Sequence, residues 1–119
     1  WFEQHAPIRE EFKKQEVKGI TARVMQVAML GGDCHPATPI GINLPNAEWI
    51  RERYGSKSVT LDNITYAYDM AAKSSGMIDE FAGSDEEIRL AREWGTIGSN
   101  VHTDLHECLG HGSGKMLPE

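Results

Sequence analysis

The hydrophobic pattern of the first third of the chain predicts a short helix followed by a strand. Pro7 to Val17 suits a helix, because Pro is favoured at a first helical position and two apolar side chains follow one turn apart. Ile20 to Leu30 is rich in Ile, Val and Met, which predicts a buried strand that ends at Gly31. The three prolines between residues 34 and 45 then predict extended backbone.

The middle of the chain predicts two helices. Asn46 is placed as an N-cap, and the helix after it runs to Tyr54 and stops at Gly55. Thr60 begins a longer helix whose apolar side chains keep to one face, and Gly76 lies beyond its end.

The last third predicts a further pair of helices, separated by Gly95 and Gly98. The third helix opens at Ser84 with a capping box closed by Glu87. The fourth carries a stripe of apolar side chains, each four residues from the next, which predicts a face anchored in the core. The stripe consists of Ile97, Val101, Leu105 and Leu109. The elements together predict a mainly α fold with a minor β component.

Composition narrows the classes of partner. A formal net charge of -6, from 12 basic and 18 acidic residues, argues against nucleic acid. The longest apolar run, Val24 to Leu30, is interrupted by Gln26 and is too short to span a membrane. Cys34 and Cys108 form no CxxC pair, and we expect both to be reduced. Because the chain starts without Met and stops at Glu119, we expect residues 1–119 to be a single partial domain of a longer protein.

The densest group of metal-ligand residues lies between positions 102 and 111. It holds three histidines and two carboxylates: His102, Asp104, His106, Glu107 and His111. Residues 106–111 have the pattern H-E-x-x-x-H. The pattern familiar from zinc proteases is H-E-x-x-H, whose histidines are one turn apart on a helix and whose Glu is a general base. Here the second histidine comes one residue later.

The spacing of five constrains the backbone. An α-helix turns about 100° per residue, so His106 and His111 would project roughly 140° apart and could not share one ion. A wider π turn, in which residue i+5 bonds to residue i, brings them onto one face. Gly110 tolerates such a distortion. The sequence therefore predicts a helix that is widened at the motif or ends at Gly110–His111.

Other assignments of the same chemistry stay open. His102 and His106 have the spacing of four that suits an undistorted helix, which would leave His111 uninvolved. Cys34 and His35 could form a structural zinc site with Cys108 if the fold brought them together. Residues 110–115 fail as a phosphate loop, because position 109 is Leu and Met116 follows the lysine.

Two segments in register resemble one known family. H-E-C-L-G-H at 106–111, followed by G-S-G-K, resembles the active-site signature of the dipeptidyl peptidase III family of zinc exopeptidases. Gly41-Ile42-Asn43-Leu44-Pro45-Asn46 resembles the substrate-contacting segment of that family, in the same order along the chain. The resemblance covers roughly residues 36–117 and implies a piece of a helical zinc-peptidase catalytic domain.

The resemblance also implies roles for individual residues. Zinc would be held by His106 and His111, and Glu107 would act as general base on a zinc-bound water. Asn43 and Asn46 would contact the oligopeptide substrate, from whose N-terminus dipeptides are released. The family takes its third zinc ligand from a Glu on a later helix, beyond residue 119. We therefore expect the isolated fragment to be inactive, with the remainder of the parent polypeptide as its partner. We expect a cytoplasmic location.

Plainer interpretations accompany these roles. Asn46 is well placed as a helix cap and Asn43 suits a turn. Cys108 is interpreted as a packing residue rather than a nucleophile. Two other functional classes remain: a noncatalytic binding module whose histidines hold no metal, and a zinc endopeptidase that uses the same helix.

Overall fold

The computed structural model describes residues 1–17, 21–34 and 37–115. The helices of this part of the chain are α1 (Phe2–His5), α2 (Glu48–Tyr54), α3 (Asp62–Ser74), α4 (Met77–Phe81) and α5 (Asp85–Leu105). A short 3₁₀ turn spans Glu10–Phe12, and a π-helical turn, His106–Gly110, continues α5. The strands are β1 (Thr21–Met25), β2 (Gly41–Leu44) and β3 (Lys57–Leu61). The mainly α fold with a minor β component is confirmed.

The three strands form one mixed sheet in the order β1-β3-β2. β1 runs parallel to β3, and β2 runs antiparallel to it. In the antiparallel pair Gly41 lies opposite Thr60, and Asn43 lies opposite Ser58. Since side chains alternate between the faces of a strand, Gly41 and Asn43 share one face of the sheet with Ser58 and Thr60.

The predicted helix from Pro7 to Val17 is wrong. Within these residues the structure has the 3₁₀ turn Glu10–Phe12, and α1 ends at His5, before the proline. The reason is tertiary. The buried carboxylate of Glu3 accepts from the main-chain amides of Lys14 at 2.6 Å and Gly114 at 3.1 Å. This segment therefore bonds to the glycine-rich loop after the π turn instead of coiling on itself.

The predicted buried strand from Ile20 to Leu30 is corrected in length and in burial. β1 ends at Met25, and residues 18–20 lie outside the described part of the chain. The side-chain amide of Asn63 bonds both main-chain groups of Val27, at 3.0 and 2.8 Å, and so takes the chain away from the sheet. Val24 is 68% exposed, because neither face of β1 is fully covered within this chain.

Two helix starts are also corrected. Ala47, not Asn46, is the residue that precedes α2, and no side chain caps that helix. Thr60 lies in β3 rather than in a helix, since its β-branched side chain and that of Val59 suit the ladder that pairs them with Gly41 and Ile42. The stop at Gly55 is confirmed by its left-handed φ of 81°.

The third and fourth predicted helices are one helix, α5, which passes through Gly95 and Gly98 without a break. The capping box is confirmed at its start, where the Ser84 hydroxyl accepts from the amide of Glu87 at 3.3 Å. The Glu87 carboxylate in turn accepts from the amide of Gly83 at 2.8 Å. Of the helices in the described ranges, none combines the length and apolarity that a membrane span requires.

The apolar stripe of α5 is not buried, so the prediction that it anchors the helix in a core is wrong for this chain. Ile97, Val101 and Leu105 are 56%, 50% and 49% exposed, and only Leu109 is half-buried. Among the described residues the buried apolar side chains are Ala6 and Leu61. The buried polar side chains gather instead where the sheet meets the π turn.

Candidate metal centre

The helix that carries the histidines widens where the sequence predicts it. The main-chain amide of His111 donates to the carbonyl of His106, five residues back, at 3.1 Å. This bond closes the π turn His106–Gly110. The wider turn accommodates the additional residue between the two histidines, so both imidazoles lie on the same side of the helix axis.

The two imidazoles meet through their Nε2 atoms, which lie 3.1 Å apart. Their ring planes are nearly perpendicular, at 83°. Two nitrogen lone pairs repel each other at this distance unless a proton or a cation lies between them. Ligand nitrogens held at zinc's usual bond length in a tetrahedral shell lie about 3.3 Å apart, so the pair fits a shared zinc ion.

Glu107 completes the group. One donor atom from each of His106, Glu107 and His111 lies within 4.8 Å of the others, and within the described ranges no other such group of three appears. Glu107 is 8% exposed, and its buried Oε2 has no hydrogen-bond partner. Burying an unpaired carboxylate oxygen costs free energy, and this oxygen has its lone pairs available for a proton or a cation.

Gly41 makes room for the Glu107 side chain. A Cβ atom at position 41 would lie 2.7 Å from Oε1 of Glu107, 2.9 Å from its Cγ and 3.0 Å from its Cδ. Such distances are below van der Waals contact along most of the side chain. The absence of a side chain at position 41 therefore lets the carboxylate lie against β2.

The main chain of Glu107 is bonded to the sheet. Its carbonyl oxygen accepts from the Ser58 hydroxyl at 2.7 Å and from Nδ2 of Asn43 at 3.1 Å. Nδ2 of Asn43 is also 2.8 Å from the Ser58 hydroxyl and 2.7 Å from that of Ser56. Asn43, Ser56 and Ser58 are all buried. They form a closed polar network between β2, β3 and the π turn.

The two asparagines predicted to contact substrate are placed differently. Asn46 is exposed and leaves its amide accessible. The amide of Asn43 is engaged by protein groups on both sides, since its Oδ1 accepts from Ser56 while its Nδ2 donates. Substrate contact by either residue stays a prediction, and the arrangement favours Asn46.

The structure bears differently on the alternative roles of His102, Cys108 and Cys34. His102 is exposed and lies outside the group formed by His106, Glu107 and His111. Cys108 is half-buried, and burial raises the pKa of its thiol, with the charges of Asp104 and Glu107 adding to the effect. The neutral thiol suits a packing residue better than a nucleophile. The alternative site through Cys34 and Cys108 depends on His35, which lies outside the described residues.

Sequence reasoning missed Gly41, Ser56 and Ser58 as contributors to the site. A signal existed for Ser58, because Ser58 to Leu61 alternates polar and apolar residues and contains two β-branched ones. Recognising that strand places Ser58 and Thr60 on one face. No local signal joins this face to a motif almost fifty residues later.

Known proteins of one peptidase family match this chain over most of its length. The family model described as Peptidase family M49 matches residues 4–119. The chain belongs to this family. Dipeptidyl peptidase 3 of Nematostella vectensis is 36% identical over 79 residues, which are 66% of this chain and 10% of the relative. The human protein of the same name is 35% identical over 80 residues, again 66% and 10%.

A third relative extends the match within the M49 family. Dipeptidyl peptidase 3 of Dictyostelium discoideum is 32% identical over 109 residues, 92% of this chain and 14% of the relative. The chain thus spans only about a tenth to a seventh of the length of these curated relatives. The family resemblance inferred from the two motifs is confirmed.

We predict that Gly41→Ala destabilises the protein by about 1–3 kcal/mol, because the new methyl group overlaps the Glu107 side chain. Gly31→Ala is the matched control, since a Cβ there meets no atom within 4 Å. Both changes lower the entropy of the unfolded chain equally, so their difference isolates the overlap. Urea unfolding of the two variants measures the difference between their free energies of unfolding. Equal midpoints for the two variants would contradict the packing described here.

Proposed function

We propose that this chain carries the zinc-binding helix of a metallopeptidase that releases dipeptides from the N-terminus of oligopeptides. The observation that supports it is the convergence of His106, Glu107 and His111 at one widened turn. Membership of the M49 family and the names of the relatives agree with it. The activity is proposed for a protein of the relatives' length, of which this chain spans about a tenth to a seventh.

In this proposal His106 and His111 hold zinc through their Nε2 atoms. When bound, zinc would act as a Lewis acid that lowers the pKa of the water bound to it and polarises the scissile carbonyl group. Catalytic zinc takes three protein ligands, and the third would be a Glu outside residues 1–119, as the resemblance implies.

Glu107 is the proposed general base. Its carboxylate takes a proton from the attacking water and passes it to the leaving amine. One feature of the structure suits this role. Oε2 is buried without a partner, so no hydrogen bond has to be broken before it accepts a proton.

The substrate contacts that we propose within this chain are Asn43 and Asn46, of which Asn46 is the exposed one and lies two residues after β2. Peptides are the expected substrates, and we propose no nucleic-acid or membrane partner. The exposed apolar face of α5 suits packing against the remainder of the parent polypeptide, which would complete the partial domain formed by residues 1–119. A cytoplasmic location stays a prediction.

The proposal is tested against its nearest alternative, a zinc endopeptidase, by a cleavage map. We expect the full-length protein to release dipeptides from peptides with a free N-terminus and to leave N-acetylated copies of the same peptides intact. Mass spectrometry of the products checks this. Internal cleavage at equal rates in free and acetylated peptides would overturn the exopeptidase assignment while leaving a zinc hydrolase in place.

We predict that Glu107→Gln lowers kcat by about 10²–10⁴-fold, because the amide cannot accept the proton. Zinc content should be unchanged, since the imidazoles are untouched. Steady-state kinetics and elemental analysis of the full-length protein measure the two quantities. Zinc loss in proportion to the loss of activity would instead assign Glu107 as a ligand or a structural residue.

We predict that His111→Ala abolishes stoichiometric zinc binding, whereas His102→Ala retains it. The two residues are both exposed histidines of the same helical segment, but only His111 faces His106. Elemental analysis after dialysis against a weak chelator separates the variants. The reverse result would place the ion between His102 and His106.

We predict that residues 1–119 alone bind zinc weakly and release no dipeptides. Two imidazoles leave a catalytic ion short of its third protein ligand. Calorimetric titration with zinc is the measurement. Tight binding of one ion per chain, together with peptide cleavage, would show that the third ligand lies within these residues.

A further inference from the structure

We propose that Ser58 and Asn43 are positioning residues that hold the helix in its widened form and thereby set the alignment of His106 and His111. The inference rests on the proposed function in that the aligned histidines are taken to hold zinc. It assigns to Asn43 a role inside the protein, in addition to the substrate contact that the resemblance implies.

The first step is the pairing of the two residues. Asn43 and Ser58 are direct cross-strand partners in the antiparallel ladder. They are 8% and 2% exposed, and their side chains bond to each other at 2.8 Å. A buried pair that is fixed by two strands presents its donors with little conformational freedom.

The second step concerns the carbonyl that these donors meet. In a regular α-helix the amide of His111 would donate to the carbonyl of Glu107, four residues back. Here that amide donates to His106. On Glu107 the Ser58 hydroxyl donates to the carbonyl oxygen at 2.7 Å, and Nδ2 of Asn43, whose two hydrogens are shared among three acceptors, lies 3.1 Å from it. The sheet therefore occupies the acceptor that the competing α-helical form needs.

The third step is the consequence for the histidines. If the turn relaxed to α geometry, the projections of His106 and His111 would move toward the roughly 140° separation of five α-helical residues. Their Nε2 atoms, now 3.1 Å apart, would no longer face each other. The bonds to the Glu107 carbonyl thus act on the imidazoles through the backbone, without touching either ring.

A fourth observation shows that β2 holds Glu107 at two points. Alternate residues of one strand face the π turn: Gly41 lies under the carboxylate, and Asn43 bonds the carbonyl. The strand therefore fixes both the side chain and the main chain of the same residue. This double attachment couples the position of the carboxylate to the form of the turn.

The test uses Ser58→Ala and its matched control Ser56→Ala in the full-length protein. Both replace a buried serine that bonds to Asn43, but only Ser58 bonds to Glu107. The readouts are zinc affinity by chelator competition, the visible spectrum of the Co²⁺-substituted protein, and hydrogen exchange of segment 106–113. The spectrum and the exchange report the ligand geometry and the turn directly, whereas general destabilisation is followed by the thermal midpoint.

We expect Ser58→Ala to weaken zinc binding by about 10–100-fold and Ser56→Ala to change it by less than about threefold. Ser58→Ala should also alter the cobalt spectrum and speed exchange in segment 106–113. Equal zinc affinities, spectra and exchange rates in the two variants would overturn the proposal, even if both lowered the thermal midpoint.

Two further outcomes are decided separately. If the wild-type protein binds no zinc, the proposed function fails, and the exchange rates of the two variants still judge this inference. If Ser58→Ala does not fold, exchange in the metal-free wild-type protein decides. A protected His111 amide without metal supports a turn held by the sheet, and exchange at the rate of an unstructured peptide overturns it.

Discussion

The site depends on the hydrogen bonds that the Glu107 carbonyl accepts from the sheet. In a π turn a main-chain amide no longer bonds to the carbonyl four residues back, and neighbouring groups or water normally satisfy the carbonyl that is released. Here Ser58 and Asn43 do so, at 2.7 and 3.1 Å. The widened turn places the two histidines on a common face. The small sheet therefore contributes to the site through its hydrogen bonds to that turn.

The region around this turn is polar, and it is better buried than most apolar side chains of the chain. Glu107, Asn43, Ser56 and Ser58 are buried, whereas the stripe along α5 is about half exposed. A closed network of this kind costs little when every member has a partner, and it specifies one arrangement. The exception is Oε2 of Glu107, which has no hydrogen-bond partner within the described residues.

Further from the turn, hydrogen bonds from the first residues of the chain restrain the glycine-rich loop on its C-terminal side. The Glu3 carboxylate holds the amides of Lys14 and Gly114, and the amide of Lys115 donates to the Phe12 carbonyl at 2.7 Å. The π turn is therefore bounded by a continuous α-helix on one side and a bonded loop on the other. The two histidines therefore lie between two segments whose backbones are hydrogen-bonded.

The sequence alone determined the features that depend on neighbours along the chain. The spacing of His106 and His111 predicted a helix that is widened or ends at Gly110–His111, and Ser84 and Gly55 marked the start of α5 and the end of α2, since each feature depends on local backbone geometry. Only the tertiary structure decided that Lys57 to Leu61 is a strand, that the α5 stripe is exposed, and that Asn43 bonds Glu107. Those outcomes depend on which distant segments come into contact. The side chains of Ser58 and Asn43 contact a residue 49 and 64 positions later in the chain, and no local sequence pattern predicts such a contact.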